Sequence, residues 1–141
     1  MTKKRVLITG GTGFAGSHMV DYLVSLNQYQ IFVFKRPNSK LDFLKESMDQ
    51  ITLINGDLID QTSLIQALKI AQPDYIYHFG ALSWVTPSWD MPAAYMQTNA
   101  IGTINLCEAI RVLNIKPRIL VASSPEVFGD VKESQIPITE E

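Results

Sequence analysis

The chain has 141 residues, of which 46% are hydrophobic and 18% are charged, and this composition suits one globular domain with a single core. The net charge of −2 at pH 7 argues against a nucleic-acid partner or an anionic membrane surface. No apolar run is long enough to cross a membrane. The single cysteine, Cys107, excludes an internal disulfide and favours a reducing, cytoplasmic location. It lies in an apolar helical pattern, so we expect it to be buried.

The first half of the chain predicts two strand–helix units. Residues 4–9 form an apolar run without alternation, typical of a strand in a parallel sheet that is covered on both faces. A glycine-rich turn leads to residues 14–26, whose apolar positions recur at helical period. Residues 30–35 predict a second buried strand, and residues 41–48 predict a short helix.

The second half continues the alternation. Residues 51–54 predict a third strand and residues 64–71 a helix. Residues 75–79 predict a fourth strand, 92–113 a long helix and 118–123 a fifth strand. Regular alternation of this kind predicts an α/β fold, a Rossmann-type doubly wound parallel sheet with right-handed crossovers.

The turn after the first strand has the spacing of a phosphate-binding loop, with Gly10, Gly13 and Gly16 in the pattern G-x-x-G-x-x-G. The first glycine permits a tight turn, the second lets the backbone approach a pyrophosphate, and the third permits close helix–strand packing. The helix start at Phe14 and Ala15 offers free N–H groups to the phosphates. A glycine-rich turn without a ligand is the alternative, but the strand–turn–helix context favours a dinucleotide.

The end of the second strand favours NADP over NAD. An NAD site usually carries an acidic residue about 20 residues past the loop, and no carboxylate occurs here before Asp42. Lys35 and Arg36 stand there instead. The planar guanidinium of Arg36 would hold a 2′-phosphate and stack on adenine, and Ser39 would add a hydrogen bond. A solvated Lys–Arg pair at a strand end is the alternative.

Asp57 and Leu58 follow the third strand and are predicted to contact the adenine, the first by accepting from its amino group and the second by packing against the ring. The alternative for Asp57 is a helix N-cap, a role that Asp60 or Thr62 fills better.

Ligands of open parallel sheets bind beyond the carboxyl ends of the strands. Residues 80–83 and 123–126 leave that edge after the fourth and fifth strands. Ser124 and Glu126 are two residues apart, so in an extended chain both side chains would face the same way. His78, at the end of the fourth strand, is expected to be a hydrogen-bonded core residue.

Five ordered motifs resemble those of the extended short-chain dehydrogenase/reductases that act on nucleotide sugars, the NAD(P)-dependent epimerase/dehydratase family. The motifs are TGGTGFAG at 9–16, GDL at 56–58, PDYIYHFGA at 73–81, NAIGT at 99–103 and SSPEVFG at 123–129. Within the family the chain is most similar to GDP-mannose 4,6-dehydratases. Residues 83–89 and 136–141 also resemble GDP-4-keto-6-deoxymannose reductases, and UDP-sugar 4-epimerases share the scaffold.

The resemblance implies a chemistry. Ser124 would hydrogen-bond the sugar 4-hydroxyl while hydride leaves C4, and Glu126 would remove the proton next to the new ketone before water leaves C6. Pro125 stands where many sugar-nucleotide dehydratases have a proton donor. The alternative for Glu126 is a solvated surface carboxylate.

The resemblance also implies contacts around this chemistry. Cofactor contacts are expected from Phe79, Gly80, Ala81, Ser83 and Asn99, and substrate contacts from Ser83 and Ser88. The expected ligands are NADP and a nucleotide sugar, with a GDP-sugar favoured, and no metal. The family's dimer contact implies a homo-oligomer formed through the helix at 92–113. The alternative from another class is a non-catalytic NADP-binding module.

The family's Tyr-x-x-x-Lys pair does not occur, because none of the tyrosines at 22, 29, 75, 77 and 95 has a lysine four residues later. We therefore expect residues 1–141 to be one dinucleotide-binding domain, cut after the fifth strand and without the sugar-nucleotide-binding lobe. We further expect the chain to be inactive by itself and to leave apolar surface uncovered on the fifth strand.

Overall fold

Strands and helices alternate along the chain, as the sequence predicts. The computed structural model describes residues 2–139. Its elements are β1 (Lys4–Thr9), α1 (Phe14–Leu26), β2 (Tyr29–Lys35), β3 (Ile51–Asn55), α2 (Gln61–Ala71), β4 (Tyr75–His78), α3 (Val85–Asp90), α4 (Pro92–Tyr95), a π turn (Met96–Ile101), α5 (Gly102–Val112) and β5 (Arg118–Val121). Glu140 and Glu141, at the end of the motif over 136–141, lie outside the described residues.

The five strands form one parallel sheet in the order β3-β2-β1-β4-β5. The chain moves outward from β1 through β2 to β3, and then returns to place β4 on the other side of β1. The strand order therefore reverses between β1 and β4, and a crevice opens at such a point beyond the carboxyl ends of the strands.

Side chains on both faces of the sheet are buried, which confirms the expectation from the unbroken apolar runs. On β1, Val6 and Ile8 belong to a cluster with Val20 of α1, whereas Leu7 belongs to a second cluster with Leu64 of α2. All five side chains are fully inaccessible to solvent. Helices on both sides therefore cover the sheet, as in a doubly wound fold.

The helix predicted over residues 41–48 is wrong. Two 3₁₀ turns, Asp42–Leu44 and Met48–Gln50, stand in its place. Long-range contacts hold the chain in these tight turns: Leu44 is fully buried, and the Ser47 hydroxyl donates to Asp21 Oδ1 at 2.5 Å. A tertiary hydrogen bond therefore outweighs the local helical preference.

The long helix predicted over 92–113 is present as the continuous run of α4, the π turn and α5. The expected burial of Cys107 is wrong, because its side chain is exposed. It shares the outward face of α5 with Ile104, which is also exposed. No helix is predicted over α3, because Pro87 usually interrupts a helix. In the structure this proline lies in the first turn, where a proline is tolerated.

Strand β5 pairs only with β4 among residues 2–139. Its apolar side chains Ile119, Leu120 and Val121 are 36%, 48% and 48% exposed, in line with the expected uncovered surface. Among residues 2–139, no helix combines the length and apolarity needed to cross a bilayer.

Candidate functional site

A cleft of about 1210 Å³ lies at the carboxyl ends of the strands, where the strand order reverses. The residues predicted to bind cofactor or substrate all line this cleft, and of the two predicted catalytic residues Ser124 lines it whereas Glu126 does not. The lining residues come mainly from the β1–α1 turn, the end of β2, the segments after β3, β4 and β5, helix α3 and the π turn. The fold therefore gathers into one space residues that are far apart in sequence, while their contacts with a ligand stay a prediction.

The glycines of the β1–α1 turn serve two different purposes. Gly10 has φ +70°, and a Cβ on it would lie 2.6 Å from the carbonyl carbon of Phe79. A Cβ on Gly16 would collide with the carbonyl oxygen of Gly10 and lie 2.7 Å from Gly11 Cα. The protein's own packing thus requires both of these glycines.

Gly13 is different, because a Cβ there would meet only the Gly10 carbonyl oxygen, at 3.3 Å. Gly13 is also the N-cap of α1, and no side chain caps this helix start. Phe14 and Ala15 of the first turn line the cleft, so the uncapped helix start lies at this space, where the positive end of the helix dipole favours an anion.

The two cations at the end of β2, Lys35 and Arg36, both line the cleft but differ in their contacts. Lys35 Nζ donates to the carbonyls of Arg36 and Pro37 at 3.0 and 3.2 Å. Arg36 is exposed, lines the cleft and has no ion-pair partner within residues 2–139. The Ser39 amide donates to the Arg36 carbonyl at 3.1 Å, so a tight turn brings Ser39 close to the Arg36 backbone, and both residues line the cleft.

The segment after β3 is fixed by hydrogen bonds from its own aspartates and from α5. Asp57 Oδ1 accepts from the Ile59 amide at 3.3 Å, while Asp60 caps α2 by accepting from the Thr62 amide at 3.0 Å. Of the two predicted N-cap candidates, Asp60 and Thr62, Asp60 is therefore the cap. Leu58 is 7% exposed, and its carbonyl accepts from Asn105 Nδ2 at 3.0 Å.

His78 is buried and hydrogen-bonded, as predicted. Its Nδ1 lies 2.6 Å from Thr9 Oγ1 and its Nε2 lies 3.1 Å from Thr103 Oγ1. Burial lowers the pKa of the imidazole, since the charged form loses its solvation. A neutral ring is therefore the form that the folded chain favours.

The segment after β4 is anchored by side chains that the sequence analysis did not single out. The Gly80 amide donates to Thr9 Oγ1 at 3.1 Å, and Tyr95 Oη donates to the Trp84 carbonyl at 2.6 Å. Thr103 also belongs to this region, because its hydroxyl donates to the Asn99 carbonyl at 2.6 Å. Its spacing of four residues from Asn99 is a signal that the sequence does contain. Two polar residues at this spacing share a helix face.

The segment after β5 departs from the expected geometry. Ser124 is extended, but Pro125–Phe128 forms a 3₁₀ turn that begins at the proline. The chain is therefore not extended through Glu126, which was the condition for the two side chains to face the same way, because the fixed φ of Pro125 suits the first position of a helical turn. Ser124 lines the cleft, whereas Glu126 is exposed and does not.

The parallel sheet, the phosphate-type loop after β1 and the cleft at the strand-order reversal define a Rossmann domain of the dinucleotide-binding type. Within residues 2–139, no three His, Cys, Asp or Glu side chains come together as metal ligands. A family profile described as GDP-mannose 4,6 dehydratase matches residues 7–141. The chain belongs to this family.

Relatives and solved structures agree with this membership. The GDP-mannose 4,6-dehydratase of Yersinia enterocolitica is 36% identical over 141 residues, which cover 92% of this chain and 38% of that protein. The UDP-glucose 4-epimerase of Brucella ovis, solved in complex with NAD, superposes with a TM-score of 0.82 at 28% identity, over 97% of this chain and 40% of that one. A UDP-N-acetylglucosamine 4-epimerase from Methanobrevibacter ruminantium, in complex with UDP-N-acetylmuramic acid, gives 0.81 at 32% identity, over 99% and 43%. The chain thus spans about two fifths of the proteins it resembles.

Proposed function

We propose that this chain binds NADP and is the dinucleotide-binding part of an enzyme that converts a nucleotide sugar by 4,6-dehydratase chemistry. The observation that carries the proposal is Gly13. The protein's own packing explains its missing side chain only in part, since a Cβ here would make a single tight contact, 3.3 Å from the Gly10 oxygen. A pyrophosphate approaching the free amides of α1 does explain it. The NAD held by the similar epimerase supports a nicotinamide cofactor in this cleft.

Arg36 supports the choice of NADP. Its guanidinium is free of ion pairs within the described residues and stands at the end of β2, where an NAD site would carry a carboxylate. Two of the three N–H donors of the Lys35 ammonium already bind carbonyls, so Lys35 keeps one free donor and its position is fixed by its own turn. The 2′-phosphate would therefore be recognised mainly by Arg36 and Ser39.

The reaction would use the residues after β5. Bound NADP would take up the hydride that leaves C4 of the sugar. Ser124 Oγ accepts from the Glu126 amide at 3.3 Å, which leaves its own hydrogen free to donate to a substrate oxygen. In the dehydratase proposal, Glu126 takes the proton from C5, beside the C4 ketone, and passes it to the C6 hydroxyl, which leaves as water. The hydride taken up by the cofactor would then return to C6, and a proton added to C5 would balance the one lost from the 4-hydroxyl, so that the net change is the loss of water. The family relationship favours a GDP-sugar as the substrate.

One observation favours a second candidate, a 4-keto-sugar reductase. Glu126 is exposed and does not line the cleft, and reduction of a ketone needs no carboxylate base at this position. In the enzyme that contains this domain, Glu126→Gln would abolish water elimination if the dehydratase proposal is right. Retained turnover of the variant would favour the reductase.

The exposed side of the long helix supports a homo-oligomer. Met96, Ile104 and Val112 are 64%, 58% and 53% exposed along the run from Pro92 to Val112. Apolar side chains spread along one helix are suited to packing against a second copy.

We place the protein in the cytoplasm on the basis of its one unpaired cysteine, Cys107.

The cofactor proposal is tested by titrating the chain with NADP and with NAD in a calorimeter. NADP is expected to bind more tightly than NAD. Arg36→Ala should weaken NADP binding about 10- to 100-fold, the loss of a hydrogen bond between charged groups, and leave NAD binding nearly unchanged. Lys35→Ala is the matched control and should weaken NADP binding by much less. Tighter binding of NAD, or equal effects of the two variants, would contradict the proposal.

A further inference from the structure

A chain of hydrogen bonds runs along the cleft wall, through Thr9, His78 and Thr103, from the segment after β4 to the π turn. The Gly80 amide donates to Thr9 Oγ1 at 3.1 Å, and Thr9 Oγ1 lies 2.6 Å from His78 Nδ1. On the other side of the ring, His78 Nε2 lies 3.1 Å from Thr103 Oγ1, which donates to the Asn99 carbonyl at 2.6 Å. Strands β1 and β4 are thereby linked to the long helix.

Counting hydrogens fixes the direction of every bond. The Asn99 carbonyl cannot donate, so the 2.6 Å contact uses the single hydroxyl hydrogen of Thr103. Thr103 Oγ1 must then accept from His78 Nε2, which therefore carries a hydrogen. At the other end Thr9 Oγ1 accepts from Gly80, so its own hydrogen is available for His78 Nδ1.

Only the neutral ring with its hydrogen on Nε2 satisfies all of these bonds at once. The opposite tautomer would place two acceptors face to face between His78 Nε2 and Thr103 Oγ1. A doubly protonated ring would direct Nδ1–H at Thr9 Oγ1 and deprive the Thr9 hydroxyl hydrogen of its acceptor. The bonds then run in one direction, from the Gly80 amide to the Asn99 carbonyl, and bonds aligned in this way strengthen one another.

Asn99 closes the network onto the cleft. Its Nδ2 donates to the Leu82 carbonyl at 2.9 Å, and its Oδ1 accepts from the Leu82 amide at 2.8 Å. Gly80 and Leu82 both line the cleft. The segment that faces the proposed cofactor is therefore held at its start by Thr9 and two residues later by Asn99.

We propose that His78, as its Nε2–H tautomer, is a positioning residue that sets the backbone of residues 80–82 against the cofactor by joining the Thr9 and Thr103–Asn99 anchors. The inference rests on the proposed binding of a dinucleotide in this cleft. It assigns to His78 a part in cofactor binding in addition to its place in the core.

The tautomer is measured directly, without any ligand. The chain has only two histidines, His18 and His78, so long-range proton–nitrogen correlation spectra of the ring nitrogens are simple to assign with a His18→Gln variant. At pH 7 we expect His78 to show a protonated Nε2 and an unprotonated Nδ1. A ring protonated on Nδ1, alone or together with Nε2, would overturn the inference.

The effect on the cofactor is measured with two substitutions of Thr103. Thr103→Val keeps the shape but removes the acceptor for Nε2, and is expected to mix the His78 tautomers and weaken NADP binding about five- to tenfold. Thr103→Ser keeps the hydroxyl and should restore both the spectrum and the affinity, which a role in packing alone would not do. Thr62→Val, on the exposed start of α2, is the matched control and should change neither.

The results separate this inference from the proposed function. Absence of NADP binding by the unaltered chain would defeat the proposed function, while the ring spectrum would still report the tautomer. Binding by the unaltered chain together with equal affinity of Thr103→Val would defeat the positioning role of His78. If Thr103→Val does not fold, the spectrum of the unaltered chain and the affinity of Thr103→Ser decide the question.

Discussion

Two glycines of the β1–α1 turn should respond oppositely to the same substitution. Gly16→Ala places a Cβ against the backbone of the turn, 2.7 Å from Gly11 Cα and 2.8 Å from the Gly10 carbonyl carbon. Overpacking of this kind costs about 1–3 kcal/mol, and the better helix propensity of alanine returns about 1 kcal/mol. Because the contacts are with backbone atoms, the upper end of the overpacking cost applies, and we expect the free energy of unfolding to fall by roughly 2 kcal/mol.

Gly13→Ala should leave the fold nearly intact and damage binding. The backbone at Gly13 has φ −87° and ψ 177°, a conformation that alanine adopts readily. A poorer N-cap and a less flexible unfolded chain nearly cancel, so the free energy of unfolding should change by less than about 1 kcal/mol. The new methyl group would hold the pyrophosphate away from the helix amides and weaken NADP binding about 10- to 100-fold.

Urea denaturation followed by circular dichroism measures the first effect, and calorimetric titration with NADP measures the second. Each variant is the control for the other, since the chemical change is the same in both. Equal destabilisation by the two substitutions, or undiminished NADP binding by Gly13→Ala, would refute the assignment of Gly16 to packing and Gly13 to the ligand.

Four further outcomes are expected from single groups. Because burial lowers the pKa of His78, the unfolded chain takes up a proton near pH 6.5 that the folded chain does not. The free energy of unfolding should therefore fall as the pH drops below 6.5. His78→Gln should flatten this slope in urea titrations at several pH values. Leu64→Ala, at a fully buried position, should lower the free energy of unfolding by about 2–5 kcal/mol in the same assay. Asp60→Ala removes the N-cap of α2 and should cost about 1 kcal/mol, with an unchanged urea midpoint contradicting the cap. Leu120→Lys, on the exposed strand β5, should reduce concentration-dependent association in sedimentation velocity, and unchanged association would place the contact elsewhere.

The strands of the sheet and the phosphate-type loop could be predicted from the sequence because their causes are local. A strand covered on both faces needs an unbroken apolar run, and the run over residues 4–9 coincides with β1. The loop needs glycines at set intervals, and the structure confirms the packing reasons for Gly10 and Gly16. The place of the cleft followed from the same local pattern, because the carboxyl ends of parallel strands meet at one edge, whereas the contacts expected from Ser88 and Asn99 came from the family resemblance.

The features that the sequence did not reveal depend on partners that are distant along the chain. Asp21 and Ser47, 26 residues apart, hold two 3₁₀ turns where the local pattern predicts a helix. His78 and Thr9 are 69 residues apart, and only their contact shows how the histidine links the core to the cleft wall. Apolar periodicity likewise does not tell which side of α5 faces the solvent, and the packing of its opposite side on the core leaves Cys107 outside. Composition and spacing thus determined the class of fold and the place of the site, whereas the fold decided which polar atoms meet, because a hydrogen bond forms only between groups that the tertiary structure brings within about 3 Å.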